Sequence, residues 1–129
     1  MDAAYIPTTT AITNKINNSS TTKLTGVVYN YQMESVSGIT GKYFGATNGT
    51  QSGLVTVSDG YLSMLMSSAI SERAGDSGGT IYLTNTSQNR LIGIVKGQSG
   101  NTMINGIPWT SIASAYYSCT GLILSPKIN

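Results

Sequence analysis

An all-β barrel is the fold this sequence predicts, and three observations predict it. Fifteen glycines and eight tyrosines, with only 9% charged residues, suit strands and turns better than helices. Short apolar or alternating runs recur along the chain, each stopped by a glycine, Asn-Gly or Asp-Gly turn signal. A single segment near the end carries apolar residues at helical spacing. Six or more short strands with regularly spaced turns and one end helix describe a β-barrel.

In chain order, Ala3-Ala4-Tyr5-Ile6 reads as a short strand stopped at Pro7. Residues 8–22 are polar, with Asn17-Asn18-Ser19-Ser20 at their centre, and read as a long surface connection. Leu24 to Tyr31 looks like a strand entered through Gly26, and Gly38 and Gly41 bracket the next turn. Tyr43-Phe44-Gly45 leads into Asn48-Gly49, a hairpin signal, with Ser52–Val57 as the returning strand. Asp59-Gly60 marks another turn. Tyr61 to Ile70 holds Leu62, Met64, Leu65 and Met66, which fit strand or helix by periodicity, and the all-β surroundings favour strand.

Gly75–Gly79 is a glycine-rich turn, Thr80–Leu83 a strand, 85–89 a polar loop, Leu91–Val95 the return and 98–101 a further loop. Met103–Ile107 is the last strand. Pro108 then sits where a helix can begin, and Trp109, Ile112, Ala113, Tyr116 and Tyr117 fall at helical spacing up to Gly121.

A chain of 129 residues is one ordinary domain. A net charge of +2 gives no electrostatic case for nucleic acid as a partner. No apolar run is long enough to span a bilayer, and Met1–Tyr5 lacks a basic, then apolar, leader; a piece cut from within a longer protein would look the same. Cys119 is the only cysteine, so no internal disulfide or thiolate metal cluster can form; its default role is a small buried apolar group. No metal or other cofactor is expected.

The chemistry concentrates at Gly75-Asp76-Ser77-Gly78-Gly79. Glycines around a serine let backbone N–H groups converge in front of its hydroxyl, which is how an oxyanion hole is made. Yet there is no histidine in the chain, and a serine hydroxyl is a poor nucleophile without a base. Lys96 is the one conceivable substitute, since a desolvated lysine can act as a base; an exposed strand-end lysine is the plainer reading.

This turn, the strand Leu91–Val95 and the terminal helix together resemble the C-terminal barrel of the chymotrypsin-like serine proteases. The closest look is to the bacterial branch of streptogrisins and α-lytic protease, in which Lys42–Gly49 followed by Ser52–Val55 also finds a counterpart. The resemblance covers roughly residues 24 to 124. It implies a six-stranded antiparallel Greek-key barrel with a short C-terminal helix, the second barrel of a two-barrel fold. Asp2-Ala3-Ala4-Tyr5-Ile6 is similar to the context of that branch's catalytic aspartate. On this alignment 1–23 is the inter-barrel connection and 24–129 the C-terminal barrel.

The resemblance implies that Ser77 is the nucleophile, that Gly75 and Ser77 N–H groups form the oxyanion hole, and that Asp2 orients a histidine carried by the missing first barrel. Asp76 is implied to be buried with a basic partner, Lys42 first and Arg73 second. Ser71, Glu72, Arg73 and Ala74, with Lys96, Gly97 and Gln98, would shape the pocket for the residue before the scissile bond. Here the chain departs from the family: Lys96 stands where a serine is usual, and Gln98 would narrow the pocket. The activity implied is that of a secreted serine endopeptidase acting on peptide or protein substrates, inert alone and completed by the first barrel in cis or in trans. Self-association through the face that meets the first barrel is expected. The rival reading is a non-catalytic barrel kept as an interaction or structural module.

Overall fold

A computed structural model of the protein describes residues 13–16, 22–70, 72–84 and 87–128. The expected strand at Ala3–Ile6, Asp2, Ser71, most of the 8–22 connection and part of the 85–89 loop lie outside the described residues. Strands β1 (Gly26–Val27), β2 (Thr40–Gly45), β3 (Gly49–Ser58), β4 (Tyr61–Met66), β5 (Thr80–Leu83), β6 (Arg90–Ser99) and β7 (Met103–Pro108) precede helix α1 (Trp109–Thr120).

Six of the strands close a barrel in the order β6, β5, β2, β3, β4, β7 and back to β6, every pair antiparallel. β2, β3 and β4 follow one another through hairpins, and β5 returns beside β2, which is a Greek key. β1 is a seventh strand, parallel to the start of β6.

Alternation builds the interior. Val55 and Val57 of β3 and Leu62, Met64 and Met66 of β4 are buried, whereas Leu54, Thr56, Tyr61 and Leu65 between them face out. That period of two settles the methionine run as strand. Tyr43, Ile81, Leu83, Ile92, Val95 and Ile104 complete the same core. Asp59 and Gly60 both take positive φ (50° and 79°) between the paired residues Ser58 and Tyr61, the two-residue turn whose twist matches its strands.

Five local expectations change. The strand expected over Tyr61–Ile70 stops at Met66. The strand expected over Leu24–Tyr31 is only Gly26–Val27, and two 3-10 turns, Asn30–Gln32 and Glu34–Val36, follow it. Gly41 lies within β2 rather than at a turn, paired with Gly53 on β3 and Leu83 on β5, and it is a glycine of close packing: a Cβ there would press on the Val55 side chain at 2.7 Å. β6 runs on to Ser99, so Gln98 is in a strand and not a loop; a bulge between Val95 and Gly97 keeps the polar end of β6 in register with β7. Cys119 is exposed, since α1 lies on the surface with no buried residue.

α1 ends as expected, with Gly121 in the left-handed region (φ 71°) donating its N–H to the Tyr117 carbonyl at 2.8 Å. Its first residue ties it to the barrel: Trp109 packs on the core and its indole N–H donates to the Val28 carbonyl at 2.8 Å. Among the described residues no helix is long and apolar enough to cross a membrane.

Candidate functional site

The connection from β4 to β5 becomes rigid as it nears Ser77. The Asp76 N–H donates to the Arg73 carbonyl and the Gly79 N–H to the Asp76 carbonyl, both at 3.0 Å, closing two successive turns. Gly75 and Gly78 occupy the third position of each, with φ of 92° and 85°, the conformation a type II turn demands there. Three further bonds pin the second turn to β6. The Gly78 N–H donates to the Val95 carbonyl (2.8 Å), the Val95 N–H to the Gly79 carbonyl (2.9 Å), and the Ser77 hydroxyl to the Lys96 carbonyl (3.0 Å).

Among the described residues, no acceptor takes the N–H of Gly75 or of Ser77. Neighbouring N–H groups are all engaged: Ala74 donates to Glu72 Oε1 at 2.8 Å, and Asp76, Gly78 and Gly79 to backbone carbonyls. Two free donors therefore flank an exposed serine on a turn that is otherwise hydrogen-bonded throughout. Such a pair can hold a developing oxyanion.

Asp76, 1% exposed, anchors the turn from below. Oδ1 accepts the N–H groups of Thr47 (2.8 Å) and Asn48 (3.0 Å); Oδ2 accepts the Tyr43 hydroxyl and the Asn48 side-chain amide, each at 2.8 Å. Burial pushes the carboxyl pKa upward, but the Asn48 side chain and N–H, the Tyr43 hydroxyl and the Thr47 N–H outweigh it and hold it below the ordinary aspartate value. The Tyr43 hydroxyl is pushed up, first by burial and then by its bond to Asp76.

Arg73 is the cation of this cluster. It is 3% exposed, donates from Nη1 to the Tyr43 hydroxyl (2.8 Å) and from Nη2 to the Ser68 carbonyl (3.0 Å), and lies 5.9 Å from the Tyr43 ring centroid. Positive charge thus reaches Asp76 through a phenol. The ion pair expected between Asp76 and Lys42 does not form. Lys42 and Tyr43 are neighbours on β2, so their side chains leave on opposite faces, and Tyr43 has the inward one.

Of the pocket residues expected, Glu72, Arg73 and Ala74 come together with Lys96, Gly97 and Gln98. Gln98 joins the two groups, accepting the Arg73 N–H at Oε1 (3.2 Å) and donating from Nε2 to the Ile70 carbonyl (2.7 Å). Lys96 presents its carbonyl to Ser77 while its residue as a whole is exposed. An open groove of about 790 Å³ runs along this end of β6, lined by Lys96, Gly97 and Gln98 and by Tyr61, Asn105 and Ser111 from neighbouring elements.

Tyr43, Thr47 and Asn48 were missed by sequence reasoning. Asn48-Gly49 does signal the β2–β3 hairpin, but the same asparagine also caps Asp76 and gives its amide to the Glu72 carbonyl at 3.1 Å. A scan against protein-family models finds no match, and a search of curated proteins finds none.

Proposed function

We propose that this barrel is the nucleophile-bearing half of a chymotrypsin-like serine endopeptidase. The observation that carries the reading is the pair of unengaged N–H groups, Gly75 and Ser77, beside an exposed serine hydroxyl on a turn anchored by Asp76. In the reaction proposed, Ser77 Oγ adds to the carbonyl carbon of a peptide, and the carbonyl oxygen becomes an oxyanion held by the two donors. The hydroxyl proton passes to a histidine supplied from outside these 129 residues and then to the leaving amine. Water hydrolyses the acyl-enzyme by the same route in reverse.

The bond from Ser77 to the Lys96 carbonyl has to break for that transfer, since a carbonyl oxygen cannot take the proton. Asp2 is the candidate to orient the histidine. A secreted setting belongs to the same proposal, as does the first barrel as partner.

One observation favours the rival reading, a non-catalytic module: the Ser77 hydroxyl already ties the turn to β6. The experiment that separates them is labelling by a fluorophosphonate in the presence of a histidine-bearing first barrel, in cis or in trans, with the adduct located by mass spectrometry. The enzyme reading expects the adduct on Ser77 and none in Ser77→Ala. An unlabelled Ser77 under those conditions leaves the module. The 129 residues alone are expected to hydrolyse peptide esters no faster than Ser77→Ala does. Turnover by the isolated chain that disappears in Ser77→Ala would show that a base within the chain, Lys96 first, suffices.

A further inference from the structure

We infer that Asn48 is a deamidation site whose product, a carboxylate set against Asp76, releases the turn that carries Ser77. Gly49 follows Asn48, and a glycine leaves its backbone nitrogen the least shielded for attack on the preceding side-chain amide. The space around Gly49 is open, since a Cβ built there meets nothing within 4 Å.

The reaction consumes only water. The Gly49 nitrogen adds to Asn48 Cγ, the Cγ–Nδ2 bond breaks, and ammonia departs with the proton that the Gly49 nitrogen loses. Water then opens the cyclic imide at either carbonyl. Opening at Cγ gives aspartate, and opening at the main-chain carbonyl gives isoaspartate, which adds a carbon to the backbone of the β2–β3 hairpin.

Neither product suits the place. Asn48 Nδ2 donates to Asp76 Oδ2 at 2.8 Å and to the Glu72 carbonyl at 3.1 Å. A carboxylate oxygen there meets two acceptors and has no proton to offer them. Its charge also stands against Asp76, which is buried and ionised, while the Arg73 guanidinium is engaged by the Tyr43 hydroxyl and the Ser68 carbonyl. The loss falls on the anchor of the Gly75–Gly79 turn. If Ser77 is the nucleophile, the step is an irreversible off-switch; the chemistry at Asn48 does not depend on that reading.

A second Asn-Gly pair supplies the comparison. Asn105-Gly106 lies within β7, paired with Ser63 and Leu62 of β4 on one side and with Gly97 and Val95 of β6 on the other. The Asn105 amide donates to Ser99 Oγ at 2.8 Å, and a Cβ at Gly106 would press on Ile81 at 2.7 Å. A hairpin loop opens more readily than a strand paired on both edges. Of the two asparagines, Asn48 is therefore the one that reacts in the folded chain.

The test holds the folded chain at mildly alkaline pH, samples it over days, and reads amide-to-acid conversion at each asparagine by digestion and mass spectrometry. Asn48 is expected to convert at least about tenfold faster than Asn105, an excess that vanishes in denaturant. As it converts, the amide signals of residues 75–79 in the isotopically labelled chain leave their native positions. Asn48→Asp is expected to lower the thermal midpoint further than Asn48→Ala, which removes the same side-chain bonds without adding a charge. Any smaller ratio between Asn48 and Asn105 overturns the site. Native signals from residues 75–79 in the converted chain or in Asn48→Asp overturn the release of the turn. The timed comparison uses the unaltered chain, so it decides even if a variant fails to fold.

Discussion

Asp76 carries the only carboxylate buried among the described residues, and it is charged because four hydrogen bonds outweigh its desolvation. Its folded pKa lies below its unfolded one, near 3.9, so between the two the unfolded chain binds the extra proton. The stability it contributes is therefore complete above about pH 4 and is lost as pH falls through the folded pKa. Denaturant titrations from pH 7 to 2 are expected to show that decline. In Asp76→Asn the proton-linked part disappears, and stability at pH 7 drops by roughly 1–3 kcal/mol, because the Tyr43 and backbone donors lose their charged acceptor. An unchanged acid profile in the variant would remove Asp76 as the titrating group. The sequence showed that an aspartate sits beside Ser77; it did not show which residues satisfy it. Lys42 and Tyr43 differ by one position, and only the pleat of β2 determines which of them meets a carboxylate 33 residues away.

At the scale of elements, the strands were legible wherever alternation met a turn signal. Thr80–Leu83 was placed to the residue, and Asp59-Gly60 was placed as the turn between β3 and β4. What was illegible is pairing that polar residues accept only because a neighbour is present. Lys96-Gly97-Gln98-Ser99 has no strand pattern, yet β7 lies opposite and the bulge absorbs the mismatch. Adjacent glycines hide a similar difference. Gly78 is needed for its positive φ, with nothing within 4 Å of a built Cβ, whereas at Gly79 that atom would collide with the Phe44 carbonyl. Gly78→Ala is expected to cost about 1–2 kcal/mol for the left-handed backbone. Gly79→Ala should cost more, near the upper end of the roughly 1–3 kcal/mol typical of overpacking, since backbone must move. Equal thermal shifts in the two variants would contradict this division of roles.

For the whole molecule, barrel closure was expected and is observed, and it leaves aromatic surface uncovered. Tyr31 and Tyr61 are 83% and 80% exposed, and Tyr29 stacks on Tyr31 with ring centroids 6.0 Å apart. A barrel that belongs beside another should seek cover for such surface. Sedimentation of the chain is expected to give a mass that rises with concentration; a monomeric mass at high concentration would count against the two-barrel proposal.

The bond from Trp109 to the Val28 carbonyl joins residues 81 positions apart, across the β1–β6 edge on one side and the β7–α1 junction on the other. Contacts of such sequence separation bear the largest loop-closure cost and form slowly. Trp109 is also the only tryptophan in the chain. The protein thus carries its own fluorophore at the seam where its first described strand and its helix come together. Emission during refolding times the arrival of those distant ends, and circular dichroism, which senses all seven strands, times the rest.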